Sequence, residues 1–228
     1  MSTTKHLRKV RSFVRRQGRL TKGQLRALDE IWPVYGIEYN EQLLDLDLLF
    51  KRQARRVLEV GFGNGTSLAE MAKSQPESDF IGIEVHRPGI GNLLLQIETQ
   101  ELTNIRLCYH DAIEVLQQQI PDHSLDQFQL FFPDPWQKKR HHKRRIVQPP
   151  LLDLLAKKLK KGGTIHMATD WENYAIQMMA QLNRHPAFEN SQQENQFAPR
   201  PDYRPLTHFE RRGHRLGHGV WDLIFHQK

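Results

Sequence analysis

At 228 residues the chain suits one α/β domain, alone or with a sizeable extension, and multi-domain readings are disfavoured. The single Cys108, set in the apolar run IRLCYH, excludes an internal disulfide and reads as an inert buried thiol in a reduced intracellular protein. No apolar run approaches the roughly 18 residues of a membrane span, and nothing resembles a secretory signal, whereas a net charge of +7 and a pI near 9.6 fit a polyanionic partner.

The charge is unevenly placed. The N-terminal segment is rich in Lys and Arg and meets its first acid at Asp29, and a second basic block runs from Lys138 to Arg145. The same N-terminal composition superficially matches an organellar transit peptide, but GRLTKG, from Gly18 to Gly23, reads as turn chemistry rather than an amphipathic helix. From residue 56 onward, short apolar runs alternate with helical patterns, which predicts a parallel sheet covered by helices. The strands are RRVLEV (55–60), FIGIEV (80–85), IRLCYH (105–110), LDQFQLFF (125–132) and TIHMAT (164–169). Between them, SLAE at 67–70 and Asp111 with Glu114 have capping-box spacing, and Pro88 suits a first helical turn. IVQPPLLDLLAKKLKKGG predicts a helix from Pro149 or Pro150 that Gly162 and Gly163 stop. Beyond residue 185, SQQENQFAPRPDYRP reads as a long loop, followed by a last strand, VWDLIFH (220–226).

Two places carry chemistry. EVGFGNGTSLAE joins the first strand to its helix through Gly61, Gly63 and Gly65, where glycines let the backbone turn sharply and approach a ligand. Glu84 ends the next strand about twenty residues on, where a carboxylate can accept both hydroxyls of a ribose. The spacing departs from a dinucleotide fingerprint, since Thr66 stands where a third glycine or alanine belongs. Glu59 would crowd a pyrophosphate yet sits well beside a sulfonium or ammonium, so S-adenosylmethionine outranks a nicotinamide dinucleotide. Asp111 reads either as an acceptor for the adenine amino group or as the N-cap of the next helix.

The second place is FPDPW, at the carboxyl edge of the fourth strand. Two prolines fix the backbone around Asp134, Trp136 serves either as a stacking face or as packing, and a rigid acid beside an aromatic suits the N1–H and 2-amino edge of guanine. Lys138, Arg140, Lys143, Arg144 and Arg145 follow at once and read as phosphate contacts. TxxE at Thr207 and Glu210 has capping-box spacing. His214 and His218 are spaced i, i+4, but the glycines at 213, 217 and 219 and the absence of a completing ligand set argue against a metal.

With RSFVRRQGRLTKGQ, VLEVGFGNG, IGIEVHRPGIG, FPDPWQKKRHHKRRIV, ATDWENYA and RPLTHFERRGHRLGHGVWDL, the sequence resembles the bacterial tRNA (guanine-N7-)-methyltransferase family over almost its whole length. The resemblance implies a class I methyltransferase (Rossmann-like) α/β fold: a doubly wound, mostly parallel seven-stranded sheet with helices on both faces. It implies S-adenosylmethionine as donor and the variable-loop guanosine of tRNA as acceptor. The reduced thiol points to a cytoplasmic protein, and the expectation is a monomer or homodimer with tRNA as partner, no membrane and no obligate protein partner. The resemblance implies donor contacts at Glu59, Glu84, Asp111 and Asp134, with Asp134 also at the catalytic centre. Lys138, Asp170, Thr207 and Glu210 are implied on the substrate side. Residues 1–50 are then a basic extension forming part of the RNA-binding surface, and residues 51–228 the methyltransferase domain. A methyltransferase acting on another nucleic-acid nitrogen and a nucleic-acid-binding protein with a vestigial cofactor fold are the competing readings.

Overall fold

The computed structural model describes residues 12–13, 18–206, 210 and 219–228; Thr207, His214, His218 and most of the first seventeen residues lie outside the described set. Eight strands form one sheet: β1 (Gly36–Ile37), β2 (Arg55–Val60), β3 (Ser78–Ile83), β4 (Ile105–Cys108), β5 (Leu125–Phe131), β6 (Leu159–Thr169), β7 (Phe188–Asn190) and β8 (Trp221–Gln227). Their order is β1-β4-β3-β2-β5-β6-β8-β7, with β1 to β6 parallel and β8 antiparallel to both of its neighbours. The sheet thus has one strand more than the seven expected, and two of its members are too short to show in sequence, β1 with two residues and β7 with three.

Helices cover both faces, which is why the central strands are apolar on both sides rather than alternating; all six residues of β3 are buried. One apolar layer gathers Leu58, Ile81, Val115, Phe128 and Leu155, and the other gathers Val57, Phe80, Leu68, Ile90 and Leu94. The helices are α1 (Lys22–Glu30), α2 (Trp32–Tyr35), α3 (Leu46–Phe50), α4 (Thr66–Ser74), α5 (Arg87–Thr99), α6 (Ala112–Gln118), α7 (Pro149–Lys158) and α8 (Glu172–Arg184), with a 3₁₀ turn over Lys139–Arg144. None is long and apolar enough to cross a membrane among the described residues.

Four local expectations are corrected. GRLTKG is not a turn: Thr21 caps α1, accepting from the Gln24 N–H while the Gln24 side chain accepts from the Thr21 N–H. SLAE is not a capping box, because Gly65 in the left-handed region is the N-cap of α4 and Ser67 lies inside the helix. Asp111 does cap α6, accepting from the Ile113 N–H at 2.9 Å, but the Glu114 carboxylate meets His110 Nε2 at 2.7 Å. Helix α7 ends at Lys158 rather than at the glycines: β6 begins at Leu159 and carries Gly162 and Gly163 beside a register irregularity opposite Leu125 and Gln127. Residues 18–50 pack onto the domain, with Ala27, Ile31, Ile37, Leu46 and Phe50 buried and Arg26 paired with Glu98 of α5.

Candidate functional site

The carboxyl ends of five neighbouring parallel strands carry the predicted acids in one row. In spatial order these are Asp111 after β4, Glu84 after β3, Glu59 near the end of β2, Asp134 after β5 and Asp170 after β6. A cleft of about 790 Å³ opens over this edge, lined among others by Gly61, Glu84, Asp111, Asp134, Trp136 and Lys138. This is where ligands lie in doubly wound sheets.

The glycine turn is built as its composition requires. Gly61, Gly63 and Gly65 all have φ between 63° and 79°, which a side chain at Cβ disfavours. A Cβ on Gly61 or Gly63 would meet nothing within 4 Å, so the backbone there faces open space, whereas one on Gly65 would strike Leu93. The turn rests on α5 through Gly89, whose added Cβ would lie 2.0 Å from the Gly63 carbonyl oxygen. The Glu84 carboxylate accepts from the backbone N–H groups of Gly63 (2.9 Å), Val85 (2.6 Å) and His86 (3.0 Å), which hold it at the strand end facing the cleft. Two carboxylate oxygens offer about four acceptor directions, so capacity remains for a ligand hydroxyl.

Glu59 is 3% exposed and is not among the residues that line the cleft, although the next residues, Val60 and Gly61, are. Burial, reinforced by repulsion from Glu84, pushes its carboxyl up to about 8, and among the described residues Oε2 has no hydrogen-bond partner. A buried acid short of a partner is a place for a positive charge, so the residues present fit a cationic donor such as S-adenosylmethionine.

The acidic corner is held from both sides. Phe132 and Trp136 adopt left-handed backbone angles, φ 50° and 46°, and between them Pro133 and Pro135 bracket an exposed Asp134. The Phe132 N–H donates to Ala168 of β6 at 2.8 Å. Arg145 was expected to face RNA; instead it is 3% exposed and is a strut of the corner. Its Nε donates to the Pro135 carbonyl at 2.8 Å, its terminal nitrogens reach Gln177, Asn173 and His142, and it lies over the Tyr174 ring. Each nitrogen of this guanidinium is engaged within the protein, which leaves none free for a phosphate. Lys138, Arg140 and Lys143 are exposed, while Arg144 is half-buried over the Trp136 ring at 4.9 Å. The His141 imidazole is pushed below its ordinary value by partial burial and then by Arg140, Arg144, Lys138 and Lys143. Trp136 is engaged as packing: Arg144 covers it, His141 meets it edge-on, and its Nε1–H donates to the Ser12 carbonyl at 3.1 Å.

Sequence reasoning missed a buried polar chain behind the corner. Arg204 donates to both oxygens of Asp222 (2.7 and 2.8 Å) and to Glu210 (2.7 Å), and stands over Phe131 and Phe132. His166 Nε2 meets Asp222 at 2.7 Å and its Nδ1 meets the Tyr203 hydroxyl at 2.8 Å. Burial lowers His166, outweighing Asp222; for Asp222, burial acts upward but hydrogen bonds from His166 and Arg204 prevail and hold it below its usual range. Glu210, implied on the substrate side, is 1% exposed in this network and is absent from the cleft lining, as is Asp170. Ser12, Phe13 and His110 also line the cleft, the last stacked on Tyr39 at 3.7 Å. Only the basic character of the N-terminal segment signalled any of these.

A family model described as "Putative methyltransferase" matches residues 53–223. A tRNA (guanine-N(7)-)-methyltransferase of Klebsiella pneumoniae is 58% identical over 219 residues, covering 96% of this chain and 92% of that protein. One of Aeromonas hydrophila is 59% identical over 221 residues, covering 97% and 93%. The chain belongs to the tRNA (guanine-N(7)-)-methyltransferase family. Its fold is that of class I methyltransferases: the 16S rRNA methyltransferase KamB superposes with a TM-score of 0.60 at 14% identity, over 82% of this chain and 95% of that one.

Proposed function

We propose that this chain methylates N7 of the variable-loop guanosine of tRNA, with S-adenosylmethionine as donor, in the cytoplasm. The observation that carries the reading is the row of acids across five strand ends, with the orphaned buried Glu59 on one side of Asp134 and the exposed basic residues after it. The matching relatives, named for this reaction and aligned over nearly the whole chain, support it.

When bound, S-adenosylmethionine supplies an electrophilic methyl group on a sulfonium, which N7 of guanine can take by in-line displacement because it bears a lone pair and no proton. No general base is therefore needed, and the work of the protein is alignment and charge placement. Glu84 would accept from a ribose hydroxyl, Asp111 would accept from the adenine amino group, and Glu59 would balance the donor's positive charge. Asp134, rigid between its prolines, orients the guanine edge and stabilises the positive charge that methylation places on the purine. Lys138, Arg140 and Lys143 hold phosphates, and the basic residues 1–50, of which Ser12 and Phe13 line the cleft, contribute to RNA binding.

The test is incubation with donor labelled in the methyl group and unmodified tRNA, followed by digestion. Label in 7-methylguanosine from the variable loop is expected; label in another nucleoside, or none despite tight tRNA binding, overturns the reading.

A further inference from the structure

The chain has four tryptophans, and three are engaged. Trp32 Nε1 donates to Glu38, Trp136 is held by Ser12 and Arg144, and the Trp221 ring meets Phe197 at 6.5 Å. The fourth, Trp171, is 36% exposed, and among the described residues its indole has neither a hydrogen-bond partner nor a ring contact. An amphipathic ring left open in this way is typical of a surface that meets a partner.

Its position says which partner. Strands β5 and β6 are paired with Phe131 opposite Ala168, so Asp134 and Trp171 each stand three residues past that pair on adjacent strands, at the same rim. The donor-side acids lie at β2, β3 and β4 on the other side of β5, which leaves the β6 side for the acceptor. Trp171 is also rigidly mounted. Its N–H donates to Thr169 Oγ1 at 3.2 Å, and its carbonyl accepts from the N–H groups of Tyr174 and Ala175 at 2.9 Å each. The first turns of α8 are tied through Asn173 and Gln177 to Arg145, and so to the Pro135 carbonyl of the acidic corner. The flanking Asp170 and Glu172 are exposed carboxylates, which disfavour a phosphate there and accept from N–H groups on a base edge.

We propose that Trp171 is the stacking platform for a base of the substrate tRNA brought to the rim beside Asp134, an inference that rests on the acceptor being RNA as read above. The stacking role that the composition of FPDPW offers to Trp136 then belongs to the end of the next strand. Base–aromatic stacking is sequence-tolerant because every base has a π-face, and its removal by alanine weakens single-strand binding by about tenfold.

The experiment compares full-length wild type, Trp171→Ala and Trp171→Phe in binding of unmodified tRNA at fixed salt, binding of S-adenosylhomocysteine, and thermal melting. The expected result is that W171A weakens tRNA about tenfold with donor-product affinity and melting unchanged, that W171F retains most of the affinity, and that tRNA quenches the emission W171F lacks. Binding of tRNA by W171A within twofold of wild type, equal losses for W171A and W171F, or a parallel loss of S-adenosylhomocysteine affinity overturns the proposal. Because binding is read directly, a wild-type protein that binds tRNA but puts no label in 7-methylguanosine would sink the proposed reaction while the same comparison still decides the stacking.

Discussion

Replacing Glu59 by glutamine tests the charge logic of the proposed donor site in the ligand-free protein. Burial and the neighbouring Glu84 raise the Glu59 carboxyl from its ordinary 4.5 to about 8, so between those values the folded state holds a proton that the unfolded state has released. The unfolded state binds fewer protons in this window, and stability therefore falls as pH rises through it. The loss is about 1.4 kcal/mol per pH unit, on the order of 5 kcal/mol across the whole window. For a domain of this size, that is about 3 to 5 °C of melting temperature per unit. The amide mimics the protonated acid and has no such proton to release, so E59Q should match wild type near pH 5 and exceed it increasingly towards pH 8. Calorimetry of both proteins from pH 5 to 8 reads the difference directly. A cationic donor reverses the balance, because it favours the ionised acid. Its binding at pH 7 should therefore release close to one proton, measurable by titration in two buffers of different ionisation enthalpy. Parallel melting curves for wild type and E59Q, or donor binding without proton release, would refute the reasoning.

Three further outcomes follow from the geometry. Asp134→Asn should lower turnover by about 10²-fold or more while leaving S-adenosylhomocysteine affinity within a few-fold, as steady-state kinetics and titration will show; unchanged turnover removes Asp134 from the catalytic role. Gly89→Ala puts a methyl group 2.0 Å from the Gly63 carbonyl, so it should cost about 1–3 kcal/mol in urea unfolding and weaken donor binding by displacing the glycine turn. Lys143→Ala should flatten the salt dependence of tRNA binding by about 0.7 to 0.9 in log–log slope, whereas Arg145→Met should lower the melting temperature and leave that slope intact.

Much of this site is legible in sequence because strand ends and acids coincide. An apolar run followed by glycine or a carboxylate places the residue at the carboxyl edge of a parallel strand, and five such runs put Glu59, Glu84, Asp111, Asp134 and Asp170 in one row once the strand order is known. What composition conceals is the direction of each side chain. The basic block reads as uniform, yet its members divide by backbone geometry: within one 3₁₀ turn and its cap, Arg140 and Lys143 point to solvent, Arg144 covers Trp136, and Arg145 turns inward. The same limit applies to GRLTKG, where two glycines outweigh a capping box in composition but not in the hydrogen bonds Thr21 and Gln24 exchange. Short strands leave no periodic trace, so β1 and β7 are set by their neighbours rather than by propensity.

The corner Pro-Asp-Pro is stiff only locally; what fixes its place above the sheet is polar and remote in sequence. Arg145 grips Pro135 from the front, and Arg204 backs Phe131 and Phe132 from behind while pairing with both Asp222 and Glu210. Each guanidinium is buried, so each costs desolvation that only a full set of partners offsets. An apolar pair of similar volume could fill the space, but it would fix neither the Pro135 carbonyl nor the direction of β8 against β6. The two arginines also differ in what they couple. Arg145 ties the corner to α8 and its exposed Trp171, whereas Arg204 ties it to Glu210 and to Asp222 of β8. Asp134, Trp171 and Glu210 are thus braced through these two arginines, which is the preorganisation that the proposed reaction, relying on alignment rather than proton transfer, requires.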